Sequence, residues 1–216
     1  MIPLSLKTVA LLIPFFIACI AIIHIQPYDN GELRAFLTPP EDCPMPCFLG
    51  IRPGATTYDE ALSILESHEW VGEVRANVYH RGGAVGGFIF WRWSGRQHPL
   101  LLANSQQTIN VQDSIVKDIS VYTTISLADT WMLYGFPSRA IVDILPSSVY
   151  RAMILNSNGY PEVGLAVVSF LPCPTSFETF WESPVMLSFG ALPDLSIMPA
   201  RGVLESVVYW NQACRG

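Results

Sequence analysis

An uncharged apolar run near the N-terminus constrains this chain more than any other feature of its sequence. Between Val9 and Ile23 the only polar side chain is that of Cys19, and extending the count to Ile25 gives 17 residues. That length is at the short end for a helix that crosses a bilayer. We therefore predict a signal-anchor transmembrane helix within residues 1–25. Because Lys7 precedes the run, we expect a single-pass membrane protein with a cytoplasmic N-terminus and its C-terminal domain outside.

Two other interpretations of the apolar run stay open. A cleaved signal peptide needs small residues at the cleavage site, and Cys19 with Ala21 is the one such pair. A lipoprotein signal is the other, since the sequence FIAC ending at Cys19 loosely resembles a lipobox. All three interpretations place the chain from residue 27 onward in an oxidising compartment.

The remaining cysteines agree with that compartment. Cys43, Cys47, Cys173 and Cys214 form an even set, which in an exported chain predicts disulfides with three alternative pairings. We favour long-range bridges that tie the N-terminal loop and the C-terminal end to the body of the domain. Cys43 and Cys47 also have the spacing of two metal ligands, but no second Cys or His pair follows at a suitable distance. No metal site is therefore assigned.

Composition limits the classes of function and fold. The chain of 216 residues has a net charge of −6, which argues against binding to the phosphate backbone of a nucleic acid. Half of its residues are hydrophobic, so it can bury a core, while 17 prolines and 15 glycines indicate short elements joined by many turns. Residues 26–46 are rich in proline, and we predict that they form a linker.

After the linker, the sequence predicts two helices, each with a recognisable N-terminal cap. The first is predicted within 50–69, where Thr57 and Glu60 have the spacing of a capping box and the helix ends near His68. The second is predicted within 123–137, with Ser126 as its cap and the sequence Gly-Phe-Pro from Gly135 as its stop. Each helix is predicted to open a separate unit of the fold.

Strands are predicted after each helix. After the first, FIFWRW (88–93) follows a glycine-rich turn, and a further strand is expected at 114–122. After the second, strands are expected at 139–145, on both sides of an Asn158-Gly159 turn, and finally at 202–210. We therefore predict an α+β fold in which the transmembrane helix precedes two helix-plus-antiparallel-sheet units, residues 47–122 and 123–216. The repeated order suggests an internal duplication, with chance similarity of short apolar phrases as the alternative.

The starts and stops of these two helices resemble a known family. Residues 53–57 (PGATT) with Glu60-Ala61, and residues 127–129 (LAD) with 134–137 (YGFP), are similar to the small domain of SmpA/OmlA, or BamE-type, envelope lipoproteins. The stretch from Cys47 to Thr57 also resembles uncharacterised exported, membrane-anchored proteins. The resemblance implies a role in envelope assembly or scaffolding without catalysis, and it assigns no binding residue.

No common catalytic arrangement is present in the sequence. Phosphate-binding loops, nucleophile elbows and zinc-protease motifs are absent, and the four histidines are scattered. We assign no catalytic, cofactor-binding or metal-binding residue and no cofactor.

Alternating aromatic and basic residues give the candidate surface. Trp91, Arg92 and Trp93 could stack on a sugar or peptide if their rings are exposed, and the alternative is that strand alternation buries both tryptophans. Trp181, in an aromatic loop, is the second candidate for a partner surface.

These observations predict a binding protein rather than an enzyme. We predict a membrane-anchored extracytoplasmic protein that contacts the bilayer through residues 9–25 and binds a protein or cell-envelope partner, without nucleic acid. A carbohydrate- or small-ligand-binding module with exposed tryptophans is the alternative, and a hydrolase is the third hypothesis.

Overall fold

The computed structural model of the protein describes residues 12–14, 16–17, 31–146, 152–190 and 214. The chain divides into two compact units, residues 1–35 and residues 36–216. In the first unit, residues 12–14 and 16–17 are helical, and the side chains of Leu12, Ile13, Phe16 and Ile17 are 49 % to 62 % exposed. A short helix, α1, follows at Gly31–Leu37.

Eight strands form the second unit. They are β1 (Val71–Arg81), β2 (Ala84–Trp93), β3 (Gln106–Gln112), β4 (Ile115–Ser126), β5 (Arg139–Pro146), β6 (Ala152–Tyr160), β7 (Leu165–Pro172) and β8 (Pro184–Gly190). All neighbouring strands are antiparallel, and the order across the sheet is β1-β2-β3-β4-β8-β7-β6-β5. Strand β8, the last of these in sequence, therefore lies in the middle and joins the two halves.

One row of opposed residues shows that the core is continuous. The row crosses six strands, every member is buried, and it consists of Ile89, Ile109, Ile119, Phe189, Leu165 and Tyr160. Because successive side chains point to opposite faces of a sheet, this row defines one side, which we call the inner face. The other side is called the outer face.

Three helices accompany the sheet: α2 (Tyr58–Ser67), α3 (Leu127–Tyr134) and α4 (Phe177–Glu182). Tyr134 of α3 packs against Tyr160 with ring centroids 5.2 Å apart, which places α3 on the inner face. The predicted capping box of α2 is confirmed, since Thr57 Oγ1 accepts the Glu60 N–H and the Glu60 carboxylate accepts the Thr57 N–H. The predicted cap of α3 at Ser126 is confirmed in the same way.

The predicted fold of a transmembrane helix and two helix-plus-sheet units was wrong. The second half contributes β8 to the edge of β4, so the described strands form one sheet, and residue 123, the predicted start of a second unit, lies inside β4. None of the helices in the described residues has the length and apolar character needed to span a bilayer. Most of the predicted membrane segment 9–25 lies outside the described residues.

A second correction concerns the turn between β6 and β7. Asn158 and Gly159 were predicted to form it, but both are buried in β6 and pair with β7. The chain reverses instead through a 3-10 turn at Pro161–Val163 followed by Gly164, whose φ is +60°. The strand predicted at 202–210 lies outside the described residues.

Two disulfides confirm the prediction that the cysteines pair. Cys173 bonds to Cys214 across 41 residues, with Cα atoms 5.5 Å apart, as the long-range prediction required. Cys43 bonds to Cys47, with Cα atoms 5.9 Å apart, so the long-range prediction was wrong for this pair. The sulfur atoms of all four of these cysteines are therefore in disulfide bonds. Helix α1 lies within the predicted linker 26–46, and the Cys43–Cys47 loop begins within it and ends one residue beyond it.

Candidate functional site

The structure places the first candidate residues in the core. Trp91 is 1 % exposed and Trp93 8 % exposed, while Arg92 between them is exposed. The two indole rings point to the inner face because neighbours on a strand alternate, and they meet edge to face with centroids 5.7 Å apart. Their ring faces are therefore not available to stack on a sugar or peptide at the surface.

Trp181, the other candidate, lies in a group of five aromatic rings that we call the aromatic cluster. Its ring centroid is 5.0 Å from that of Trp131, 5.8 Å from that of Phe177 and 5.1 Å from that of Phe180. Phe136 completes the cluster, with its centroid 4.9 Å from that of Trp131. The cluster thus joins residues from α3, from the turn after α3 and from α4.

Local backbone geometry brings the cluster to the surface. Helix α3 is capped at its C-terminus by Gly135, whose φ of +76° is costly for any residue with a Cβ, and the Gly135 N–H donates to Trp131 O at 2.8 Å. The chain then turns so that the Phe136 side chain is 81 % exposed. Helix α4 starts at the Ser176 cap and holds Phe177 57 % exposed while Phe180 is buried. Two large aromatic rings therefore face solvent above a packed tryptophan pair.

Acidic side chains lie beside the cluster. Glu178 and Glu182 are on α4, the same short helix as Phe177 and Trp181, and both are exposed. No basic residue occurs in the last turn of α3 or of α4. The surface that these helices present is therefore aromatic with an acidic border.

A second apolar surface occurs on the outer face of the sheet. It is a groove of about 370 Å³ across β5, β6, β7 and β8, which we call the apolar groove. Its large lining side chains are all hydrophobic, and they are Ile141, Leu145, Leu155, Val168, Phe170 and Met186. Phe170 is 37 % exposed, whereas Val168 and Ala166 in the same lining are buried.

Three small residues complete the lining of the apolar groove: Ser157, Ala166 and Ser188. The register places Ser157 opposite Ile141 on one side and Val168 on the other. Ser157 is only 5 % exposed, and its Oγ has no hydrogen-bond partner among the described residues. A buried hydroxyl without a partner costs free energy, about 1–3 kcal/mol. The groove therefore contains one unused polar group.

The outer face changes character between the two halves of the sheet. On β3 and β4 it carries Thr108, Asn110, Asp118 and Ser120, whereas on β2 it carries Phe88, Phe90 and Arg92. These polar and charged positions are replaced on β8, β7 and β6 by the apolar lining of the groove. The outer face is thus polar on β3 and β4 and apolar on β6 to β8.

Titratable groups in the described residues are shifted mainly by burial. Burial raises the pKa of Asp118, and a hydrogen bond from Asn110 Nδ2 at 2.9 Å opposes that increase. Burial lowers the pKa of His68 and raises the pKa of Tyr134 and Tyr160. Among the described residues, no three His, Cys, Asp or Glu side chains converge as metal ligands.

Sequence reasoning found one member of the aromatic cluster and none of the apolar groove. Trp181 was singled out, and the Gly135-Phe136 signal was recognised only as a helix stop. Strand β7 (LAVVSFLP) is apolar at nearly every position, so its sequence does not distinguish a strand buried on both faces from one that borders an open groove. No family model, curated protein or solved structure matches this chain.

Proposed function

We propose that the protein is a non-catalytic, extracytoplasmic binding module held at a membrane by the apolar segment 9–25, and that it docks a protein of the cell envelope through the aromatic cluster. The exposure of Phe136 and Phe177 over the Trp131–Trp181 pair is the observation that carries this proposal. Exposed groups of large apolar side chains are uncommon on monomeric proteins and mark interaction surfaces.

The charge beside the cluster defines the chemistry of the partner. Glu178 and Glu182 border the rings, and the whole chain carries a net charge of −6. An acidic border is repelled by anionic lipid headgroups, whereas it attracts lysine and arginine side chains on a protein. The expected partner therefore offers an apolar anchor flanked by basic residues.

Two further observations support the location. Disulfides persist in oxidising compartments outside the cytoplasm, and this chain has two. Lys7 precedes the apolar run, which is the charge distribution of a segment with its N-terminus in the cytoplasm. The resemblance to BamE-type domains implies an assembly or scaffolding role in the same compartment.

Docking is tested by isolating the tagged full chain from detergent extracts and measuring the retained proteins by quantitative mass spectrometry. The variant Phe136→Ser/Phe177→Ser should reduce retention of the partner about tenfold or more, as expected when central aromatic anchors are removed. Phe88→Ser is the matched control, because Phe88 is 44 % exposed on the outer face of the sheet, outside the aromatic cluster.

The same experiment also tests whether the acidic border attracts basic residues of the partner. Retention should fall as salt is raised and also in Glu178→Gln/Glu182→Gln, because both changes weaken attraction to basic residues. The docking proposal is wrong if no protein is lost specifically from the Phe136/Phe177 variant. If the protein that the variant no longer retains contacts the cluster through an acidic surface, the expectation of a basic partner is wrong.

Membrane attachment has a separate test. After alkaline washing of the membrane fraction, the full chain should remain with the lipid because its apolar segment is inserted. Recovery of the full chain in the wash would contradict attachment by residues 9–25 while leaving the docking proposal to its own test.

A further inference from the structure

Strand β1 is one edge of the sheet, and that edge is open. From Glu73 to Arg81 it pairs with β2 on one side, while no described residue forms a backbone hydrogen bond with its other side. Most of its side chains are exposed. An unpaired edge is a template for another strand, and proteins commonly block it with proline or with charged side chains that point inward. This stretch of β1 has no proline, and its acidic and arginine side chains all lie on the outer face.

The backbone groups that point to the open edge belong to every second residue. Val85 of β2 lies opposite His80, but its N–H donates to Ser114 Oγ at 2.8 Å and its carbonyl accepts the Ser114 N–H at 2.7 Å. The N–H and C=O of His80 therefore point away from β2. Because hydrogen-bonded and non-hydrogen-bonded positions alternate along antiparallel strands, the same holds for every second residue before it. These residues are Val78, Ala76 and Val74, and all lie on the inner face.

The side chains on the outer face of β1 complement their own reverse order. In sequence they are Glu73, Arg75, Asn77, Tyr79 and Arg81. When a second β1 runs antiparallel with the two Asn77 residues opposite each other, Glu73 faces Arg81 and Arg75 faces Tyr79. A two-fold axis at Asn77 repeats each pair, so the interface holds two acid–base pairs and two cation–aromatic pairs. Both kinds of cross-strand pair are attractive.

The side chains of these pairs are free to meet. Arg81 forms no ion pair among the described residues, and Glu73 contacts Nε and Nη2 of Arg75 through Oε1, which leaves Oε2 for Arg81 of the second copy. The Tyr79 ring lies against Gly86, where a Cβ would come 2.7 Å from Tyr79 Cζ. The Tyr79 side chain is 62 % exposed, so its other ring face is open to a guanidinium.

Neighbouring registers lose these pairs. A slip of one residue would set outer-face side chains of one copy opposite inner-face side chains of the other, which the pleat of a sheet does not allow. With the axis at Ala76, no opposite charges face each other, and with the axis at Val78, Arg75 faces Arg81, which repels. With the axis at Val74, the paired stretch is shorter and contains the bulge at the start of β1. The sequence therefore favours the register described above.

We propose that two copies of the chain associate by antiparallel pairing of their β1 strands about a two-fold axis at Asn77, so that their two sheets become one. Ala76 then opposes Val78 and Val74 opposes His80, each pair occurs twice, and each exchanges two hydrogen bonds, or about eight in all. The half-buried side chains of Val74 and Val78 gain cover from the second copy. The interface is small, so the dimer is reversible. No residue of the aromatic cluster takes part, and the association does not depend on docking.

Disulfide crosslinking tests the position of the axis. In the proposed dimer the two Asn77 residues form a non-hydrogen-bonded pair with Cα atoms about 4.5 Å apart, which is within the range for a disulfide. Asn77→Cys in the full chain should therefore give a disulfide-linked dimer when membranes from its own cells are mildly oxidised with copper phenanthroline. Arg75→Cys is the matched control on the same face of β1, because its two copies lie about 13 Å apart along the strands and should not crosslink. The unaltered chain controls for Cys19.

Charge reversal tests the side-chain pairs without a crosslink. Arg81→Glu sets two carboxylates opposite each other at two points of the interface, and it should weaken dimerisation of the full chain in detergent about tenfold, as measured by sedimentation velocity. Glu73→Arg/Arg81→Glu exchanges the two charges and should restore the affinity of the unaltered chain. Arg96→Glu, at an exposed position after β2, makes the same change in net charge as Arg81→Glu and should have no effect.

Each contrary result overturns a defined part of the proposal. A full chain that stays monomeric at every concentration, with no crosslink in Asn77→Cys, contradicts pairing through β1. Crosslinking of Arg75→Cys as readily as Asn77→Cys contradicts the register, and a double charge variant that does not recover contradicts the pair of Glu73 with Arg81. The variants on β1 leave the aromatic cluster intact, so loss of the dimer and loss of the docked partner are separate outcomes.

Discussion

Two neighbouring residues on β4 show that the two faces of the sheet are different environments for a side chain. Ile119 is inaccessible on the inner face, while Asp118 beside it is partly buried on the outer face and faces Asn110 on β3. The ionised form of Asp118 is penalised by this burial, which is why its pKa is raised. This carboxylate is therefore a position where charge reduces stability.

Asp118→Asn should make the protein more stable at pH 7. The charged form costs free energy in the folded chain above the raised pKa, and the cost disappears below the unfolded value of 3.8, where both states are protonated. The amide oxygen can still accept from Asn110 Nδ2. Urea unfolding at several pH values should show a gain at pH 7 that declines as the pH falls and disappears below pH 3.8. A gain that persists in acid would contradict the electrostatic explanation.

The tryptophans show how much of the candidate site could be predicted from individual residues of the sequence. The alternation in Trp91-Arg92-Trp93 favoured the core for both rings over the surface, and both are buried. Trp181 was recognisable because it lies in an aromatic segment. The exposure of Phe136 depends on the φ angle of Gly135 and on the packing of α3 with α4, which are tertiary features.

At the scale of elements, signals between residues close in the sequence predicted structure well, whereas strands that depend on distant neighbours were missed. The caps of α2 and α3 depend on residues three apart, so their sequences predicted them. Strand β1 was not assigned because it is an edge strand with mostly exposed, polar positions. Strand β8 was not assigned because it begins at Pro184 in a proline-rich region, and missing it produced the incorrect division into two units.

Leu187→Ala tests the central position of β8. Leu187 is fully buried and pairs with Val121 of β4 and Val167 of β7, so its truncation should cost about 2–5 kcal/mol of unfolding free energy. Hydrogen exchange should show faster opening in both β3 and β6, because they share one sheet through β8. Met186→Ala, on the outer face, is the control with a smaller cost. Faster exchange on one side alone would contradict a single cooperative sheet.

At the scale of the whole molecule, the two disulfides act on loops of very different length. The Cys43–Cys47 bond joins residues four apart in the sequence, while Cys173–Cys214 joins residues 41 apart. The short loop packs on the turn after β6, where a Cβ on Gly164 would come 2.9 Å from Pro46 Cγ. The long loop attaches the C-terminal end of the chain to the end of β7.

Removing the long-range disulfide should cost more stability than removing the short one. Loop-closure entropy predicts about 4 kcal/mol for Cys173→Ser/Cys214→Ser and about 2 kcal/mol for Cys43→Ser/Cys47→Ser. Urea unfolding of the two variants and the unaltered chain measures both differences. Equal losses would show that strain or native contacts, rather than restriction of the unfolded chain, determine the contribution of each bond.

The place of β8 between β4 and β7 has a consequence during protein synthesis. The ribosome makes β1 to β4 first, but the free edge of β4 has no neighbour until the chain has been made as far as Gly190. For that interval the nascent chain exposes a row of unpaired backbone groups along β4, which is a template for wrong association. The edge of β4 therefore has no strand to cover it until β8 has been made.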